Sequence, residues 1–402
     1  MATALDDTDG ARFVAERARK WLGSSPFATE IVPAHSVIDL RRGELDRATA
    51  PHIVAAAAAA LDRGETHYTA RPGILPLRRG VAAMIIRESG IEYNPATEVL
   101  IANGGQEALF VAVQMLVQPG DDVLLSDPGY SSYREAIQLA GGNVVSVPIS
   151  AIDHYGMTAT ALAAHITPRT RVLVLVSPDN PTGGVTTHVE MERIAAFAVA
   201  HDLTVLFDET YKAFVFDGAA HTRIATFPGM RARTVIVGSF SKTYAMTGWR
   251  VGYVAAAAEL LEPITDLKLA LSICSAAPSQ WAAAAALEGP QEHVDEALAE
   301  VARRHAVLLP ALAAMGLPHG DPQGAYYAFA DIRGIGLSSG MCADLFLSQA
   351  GVRTQPGDRF GPGGEGFLRF SMVQPAPAIA EAMGRLAPLV QELQTAHERG
   401  SR

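Results

Sequence analysis

The stretch TVIVGSFSKTYAMTGWRVGYV, residues 234–254, is the most informative part of this chain for its fold. Two apolar runs typical of buried strands enclose two serine hydroxyls, an amine and a guanidinium, those of Ser239, Ser241, Lys242 and Arg250. Burial between strands lowers the pKa of an amine and makes it a usable nucleophile and base. The hydroxyls and the guanidinium are donors suited to an oxyanion. The stretch therefore predicts a reactive amine beside an anion-binding site.

Lysine is scarce in this chain, which makes Lys242 more informative than a typical lysine. The only lysines are Lys20, Lys212, Lys242 and Lys268, and arginine supplies the other positive charges. A lysine retained in such a chain suggests chemistry that arginine cannot perform, although a plain surface lysine is the competing interpretation. An amine beside a phosphate-binding set is what a Schiff base with pyridoxal phosphate (PLP) requires.

The segment SFSKTYAMTGWR, residues 239–250, resembles the cofactor-lysine signature of class I/II aminotransferases, the fold-type I PLP-dependent enzymes that include aspartate aminotransferase. The resemblance extends over residues 35–390, with its motifs in family order. It implies that Lys242 holds PLP as an aldimine and that an amino group moves from an L-amino acid to a 2-oxo acid. A PLP-dependent lyase, deaminase or oxidase would need the same residues, so that alternative stays open.

Composition argues against several other classes of protein. The 402-residue chain has a formal charge of −10 and no basic tract, which disfavours nucleic-acid and anionic-membrane surfaces. Its two cysteines are far apart and lack CxxC spacing, so neither a disulfide framework nor a structural zinc site is expected, and no metal is predicted. An acidic N-terminus without an apolar core and the lack of a long apolar run predict a cytoplasmic protein.

The middle of the chain alternates strand and helix patterns. Continuous apolar runs typical of strands covered on both faces alternate with helix patterns such as 105–117, 131–140, 158–165 and 188–201. This predicts an α/β fold with a mostly parallel seven-stranded sheet, whose ligands lie beyond the strand C-termini. The predicted strands are 98–102, 122–126, 143–148, 171–176, 203–207, 234–238 and 251–255.

Two groups of candidate residues follow predicted strands. Gly104, Gly105 and Gln106 open a helix, and glycine lets backbone N–H groups approach a phosphate there. Gln106 stands where some relatives with acidic substrates have a lysine, which argues against a dedicated aspartate specificity. Asp208 ends an apolar strand where an unpaired carboxylate would be costly to bury, and a pyridinium N–H is a suitable partner.

The resemblance assigns further roles to matching residues. Tyr130 would stack on the pyridine ring, Asn180 in the block SPDNPTG would donate to the phenolic oxygen of the cofactor, and Tyr211 would bind the same oxygen. The backbone of Gly43 would touch the substrate carboxylate, and Arg369 would bind the α-carboxylate with both arms of its guanidinium.

The resemblance also implies a homodimer with shared active sites. The family pattern YxxxxGxxxLR matches residues 68–78, and Tyr68 would reach the cofactor phosphate of the neighbouring subunit. Arg47 departs from the family pattern at the mouth of the site, and Tyr130 with Tyr326 would tolerate apolar or aromatic substrate side chains.

The expected domain division is an N-terminal arm with part of a small domain (1–48), a large PLP-binding domain (49–288) and a small mixed C-terminal domain (289–402). Residues 10–22 are expected to form a short amphipathic helix. A PLP-sensing regulator is disfavoured, because no helix-turn-helix segment precedes the fold, and a degenerate structural paralogue is disfavoured by the intact set of site residues.

Overall fold

The architecture is taken from a computed structural model that describes residues 35–216 and 218–400. The helix expected at 10–22 lies outside the described residues. The α-helices are α1 (Pro51–Asp62), α2 (Leu75–Ser89), α3 (Gly104–Leu116), α4 (Ser131–Leu139), α5 (Ala159–His165), α6 (His188–Ala200), α7 (Phe240–Thr243), α8 (Ala258–Ser272), α9 (Ala277–Glu288), α10 (Glu292–Ala314), α11 (Ser339–Ala350) and α12 (Ala376–Gly400). The strands are β1 (Ile38–Asp39), β2 (Val99–Ala102), β3 (Asp122–Asp127), β4 (Asn143–Pro148), β5 (Thr170–Val176), β6 (Thr204–Asp208), β7 (Thr234–Ser239), β8 (Gly252–Ala255), β9 (Tyr327–Asp331), β10 (Val352–Arg353), β11 (Gln355–Pro356) and β12 (Phe367–Ser371).

A seven-stranded sheet forms the centre of the fold, as the sequence predicted. Its strand order is β2-β8-β7-β6-β5-β3-β4, and β8 alone runs antiparallel to its neighbours. The central strands are apolar on both faces because helices cover both sides, and each face packs into its own hydrophobic cluster. The parallel strands all end at the same edge of the sheet, which brings the residues that follow them together.

The helices begin where the local sequence provides a start signal. Pro51 occupies the first turn of α1, where a missing N–H costs nothing, and the following alanines favour helix. The side chains of Thr187 and Ser338 accept backbone N–H bonds and cap α6 and α11.

A second, smaller set of elements combines the start of the described chain with its C-terminal part. The strands β11, β12 and β9 form an antiparallel sheet, and β1 pairs in parallel with β10. Their apolar side chains form a separate cluster with α10, α11 and α12. This packing holds β12 and the segment after β1 against the edge of the large sheet, and the domain boundaries predicted above stay a prediction.

A buried ionic group lies immediately behind that edge. The carboxylate of Glu209 accepts bonds from Arg223 at 2.6 and 2.9 Å and from the hydroxyl of Tyr253 at 2.6 Å, and His221 lies 3.1 Å away. Gly238 on β7 provides the space for the ring of Tyr253, since a Cβ at Gly238 would lie 2.0 Å from its Cζ. Among the described residues, no helix is long and apolar enough to cross a membrane.

We therefore expect Gly238→Ala to destabilise the protein by about 1–3 kcal/mol, because the added methyl must displace the Tyr253 ring from Glu209. Thermal unfolding should show a lower Tm. Gly340→Ala on α11 is the matched control, because its Cβ would meet no atom within 4 Å. Equal melting temperatures for both variants would contradict this packing.

Candidate active site

A cavity of about 330 Å³ lies at the carboxyl edge of the large sheet. It is lined by Gly43, Gly105, Gln106, Leu109, Tyr130, Val176, Asn180, Asp208, Thr210, Tyr211, Ser239, Ser241, Lys242, Arg250, Tyr327 and Arg369. All the cofactor-binding and substrate-binding residues assigned from the sequence are in this set except Gly104 and Tyr68, and the set also lacks Arg47 and Tyr326, which were expected near the substrate. Gly104 lies beside Arg250, and Tyr68 is 80% exposed on the surface of this chain.

Lys242 lies on the single turn α7, directly after β7. The side chain of Ser239 accepts a bond from the N–H of Ser241 at 3.1 Å and fixes the start of this turn. The ammonium of Lys242 donates to the carbonyl oxygen of Gly43. Burial, followed by the charge of Arg369, lowers the pKa of Lys242 to about 8. A substantial fraction of this amine is therefore neutral near physiological pH.

The carboxylate of Asp208 is fixed at the end of β6. It accepts bonds from the hydroxyl of Tyr133 at 2.8 Å and from the N–H of Thr210 at 2.8 Å. Burial disfavours the charged carboxylate and raises the pKa of Asp208, and no ion pair with it forms among the described residues. This carboxylate is therefore suited to a cationic N–H group that enters the cavity.

An anion cradle forms between α3, β7 and the segment before β8. Gly104 has a left-handed φ of 81°, and a Cβ there would lie 2.4 Å from the guanidinium of Arg250. A Cβ at Gly105 would lie 3.3 Å from the Cβ of Ser239. Glycine at both positions thus lets the helix N-terminus approach the hydroxyls and the guanidinium closely, which is the donor set that a phosphate requires.

The guanidinium of Arg369 lies at the other side of the cavity. It donates to Oδ1 of Asn180 at 2.9 Å and to the carbonyl oxygen of Arg41 at 2.6 Å, and it stacks 4.3 Å above the ring of Tyr327. Its Nε is buried and has no hydrogen-bond partner among the described residues. An unpaired buried N–H on a fixed cation is suited to a carboxylate.

Tyrosine side chains also line the cavity. Tyr211 and Tyr327 share a 2.7 Å hydrogen bond between their hydroxyls, and Tyr130 donates to Oε1 of Gln106 at 3.1 Å. The sequence interpretation placed Tyr326 near the substrate, whereas the residue that lines the cavity is Tyr327. Tyr326 is buried and donates instead to the carbonyl oxygen of Gly43 at 2.7 Å.

Sequence reasoning missed Tyr133, Thr210 and Tyr327. Thr210 follows Asp208 by two residues and could have been recognised as a backbone donor to that carboxylate. Tyr133 lies on the buried face of α4 and looks like a core residue in the sequence. Among the described residues, no group of three or more histidine, cysteine, aspartate or glutamate side chains is arranged to hold a metal ion.

Comparison with known proteins identifies the family of this chain. The model of the family "Aminotransferase class I and II" matches residues 35–386. The chain belongs to this family. An aromatic-amino-acid aminotransferase from Thermococcus litoralis and an aspartate aminotransferase from Pyrococcus abyssi are each 38% identical to it, over 89% of this chain and 92% of theirs. The crystal structure of an aromatic aminotransferase from Pyrococcus horikoshii matches with a TM-score of 0.87 and 39% identity, over 89% of this chain and 96% of that one.

These findings make the chain an aminotransferase, and they do not favour the lyase, deaminase or oxidase alternative. Enzymes of this family depend on PLP. The cavity fits that cofactor on three observations: the glycine cradle facing Arg250, the buried Asp208, which forms no ion pair within the described part of the chain, and the buried amine of Lys242. The cradle offers donors for the phosphate of PLP, Asp208 offers a partner for its ring nitrogen, and Lys242 offers an amine for its aldehyde.

We expect Lys242 to titrate near pH 8 in the cofactor-free protein, since burial lowers its pKa. Only the neutral amine is nucleophilic, so its labelling by a limiting amount of an amine-reactive reagent should rise with pH and level off above about pH 8. Peptide mass spectrometry measures the labelling, with N-acetyl-lysine amide as the internal control. A rate that still rises at pH 10, as for the control, would contradict the assignment.

Proposed function

We propose that this aminotransferase binds PLP through Lys242 in the cavity at the sheet edge and moves an amino group from an L-amino acid to a 2-oxo acid. The observation that carries the proposal is one cavity lined by a buried amine with a lowered pKa and a buried guanidinium with an unpaired Nε. The first group suits the carbonyl of the cofactor and the second suits the carboxylate of the substrate.

The proposed cofactor contacts follow from the donors and acceptors of the cavity. Gly104, Gly105, Ser239, Ser241 and Arg250 would hold the phosphate, through backbone N–H groups, hydroxyls and a guanidinium. The remaining contacts would come from Tyr130 against the ring face, from Asn180 and Tyr211 at the phenolic oxygen, and from Asp208 at the ring nitrogen. When bound there, PLP supplies an electron sink for the carbanion that forms at the substrate Cα.

Lys242 is proposed as the general base and acid. Its Nζ would accept the proton from the substrate Cα and deliver it to the carbon on the other side of the amino nitrogen, which a single mobile amine can do on one face of the cavity. Arg369 contributes by lowering the pKa of this amine, while Glu44 acts in the opposite direction. The neutral form of the Lys242 amine is therefore populated at and above about pH 8.

Asp208 is proposed to keep a proton on the ring nitrogen of the cofactor. The two donors Tyr133 and Thr210 hold both carboxylate oxygens, so the side chain cannot rotate away from the ring. Burial raises the pKa of Asp208 in the cofactor-free protein, and a cationic N–H partner would reverse that shift by favouring the ionised carboxylate.

For the substrate we propose an apolar or aromatic amino acid rather than aspartate. The cations that line the cavity are Lys242, Arg250 and Arg369, and each has a proposed role at the cofactor or at the α-carboxylate. Gln106 is neutral and already accepts a bond from Tyr130. Thus none of the cations that line the cavity in the described part of the chain is left for a second carboxylate. The relatives bear names of both kinds, aromatic-amino-acid and aspartate aminotransferase.

We also propose a homodimer with shared active sites, a cytoplasmic location and the domain division 1–48, 49–288 and 289–402. The exposed position of Tyr68, away from the cavity of its own chain, supports a contact with a neighbouring subunit. Two unpaired cysteines agree with a reducing compartment. A separate apolar cluster in the C-terminal part supports the small domain, to which the strand β1 also contributes.

The proposed transfer can be tested in two halves. PLP-loaded enzyme mixed with single L-amino acids, without a 2-oxo acid, should convert its cofactor once to the stable amine form, and a 2-oxo acid should restore the original absorbance. Aromatic and apolar amino acids should react faster than aspartate. Accumulation of ammonia with spontaneous return of the spectrum would contradict transamination.

The variant Lys242→Ala should keep the circular dichroism spectrum of the wild type and lose turnover.

Arg369 should dominate recognition of the α-carboxylate. Arg369→Met should lower kcat/KM by about 30-fold or more, because a desolvated carboxylate loses its charged partner. Arg353→Met is the matched control, since Arg353 lies on β10, outside the cavity, and pairs only loosely with Asp39 at 3.8 Å. Equal losses in the two variants would contradict the role of Arg369.

A further inference from the structure

Lys268 is a completely buried lysine that the proposed chemistry does not use. It lies on α8, and its side chain is 0% exposed. Its ammonium donates to Oγ of Ser272 at 3.0 Å and lies 3.7 Å from Oε2 of Glu107. Ser272 in turn donates to Oε1 of Glu107 at 2.5 Å. The lysine therefore neutralises one particular carboxylate, both directly and through a bridging hydroxyl.

Glu107 connects this pair to the anion cradle. It lies in the first turn of α3, and its carboxylate accepts bonds from the backbone N–H of Asn103 at 2.5 Å and from the side-chain amide of Asn103 at 3.1 Å. Asn103 is the residue immediately before Gly104 and Gly105. The carboxylate thus anchors the turn that leads into Gly104 and Gly105.

This anchor carries an electrostatic cost. A carboxylate at a helix N-terminus is favourable by itself, but a phosphate bound at the same N-terminus would be repelled by it. The carboxylate is nearly buried, with its side chain 9% exposed, so solvent screens the repulsion only weakly. A cation held against Glu107, on α8, removes that cost without occupying the cradle.

We propose that Lys268 is a positioning residue for the phosphate of the cofactor: by neutralising Glu107 it allows one carboxylate to hold the Asn103–Gly105 turn without repelling the phosphate. This inference rests on the proposed placement of the phosphate at that turn. Lys268 is not among the described residues that line the cavity, and it would act through Glu107 and Ser272.

The inference is tested by comparing two ligands that differ only in the phosphate. Full-length protein freed of cofactor is titrated with PLP and with pyridoxal, and absorbance gives both dissociation constants. For Lys268→Met we expect the PLP constant to rise by about tenfold and the pyridoxal constant to change by less than about twofold. Adding Glu107→Gln should restore most of the PLP affinity, because the amide oxygen still accepts from Asn103 and carries no charge.

Lys212→Met is the matched control. Lys212 is also paired with a carboxylate, Glu88 at 2.5 Å, but it does not contact the cradle. The ratio of the two dissociation constants should stay at the wild-type value in this variant. Should Lys268→Met fail to fold, Ser272→Ala removes the bridging hydroxyl alone and should weaken PLP binding, again without an effect on pyridoxal.

Other outcomes would overturn the inference. If the Lys268 variant weakens both ligands equally, or if Glu107→Gln brings no recovery, Lys268 is a structural ion-pair residue only. Arg250→Met separates this failure from failure of the proposed function. If the Arg250 variant loses PLP selectively while the Lys268 variant does not, the phosphate placement stands and the role of Lys268 is wrong. If the Arg250 variant binds both ligands as the wild type does, the placement itself is wrong.

Discussion

Burial of Asp208 is the constraint on which the rest of the site depends. Its carboxylate lies at the end of a strand that is apolar on both faces, held by Tyr133 and by the N–H of Thr210 but by no cation among the described residues. Burial raises its pKa accordingly. A cofactor with a protonated ring nitrogen supplies the missing charge, so the same interaction that relieves the carboxylate also makes the ring a better electron sink.

The next residue shows the opposite solution to the same problem. Burial alone would raise the pKa of Glu209, but Arg223 and His221 outweigh it and keep that pKa well below its usual range. Glu209 is therefore satisfied within the protein. Two adjacent carboxylates at one strand end thus have different partners. Glu209 pairs with Arg223 and His221 of the protein itself, and Asp208 is left available to a ligand.

Sequence patterns were sufficient for the sheet and for the order of the site residues along the chain. Strands such as β6 and β7 are continuous apolar runs, and parallel strands bring the residues after them to one edge whatever the details of packing. The contacts of Tyr133 and Tyr327 could not be predicted in this way, because they join residues far apart in sequence and depend on how α4 and β9 pack. The role of Tyr68 stays a prediction, since it concerns a second chain.

The scarcity of lysine in the sequence was an informative signal. It indicated that the described lysines are buried, and it did not by itself distinguish the reactive one. All three lysines in the described chain are largely buried, and Lys212 and Lys268 are held by Glu88 and Glu107. Lys242 differs because its described hydrogen-bond partner is a neutral carbonyl oxygen, while Arg369 is the charge that most affects it. A carboxylate partner would stabilise the ammonium, and its absence here favours the neutral amine. What distinguishes the reactive lysine is therefore its electrostatic surroundings, which only the folded arrangement of β7, β12 and the segment after β1 creates.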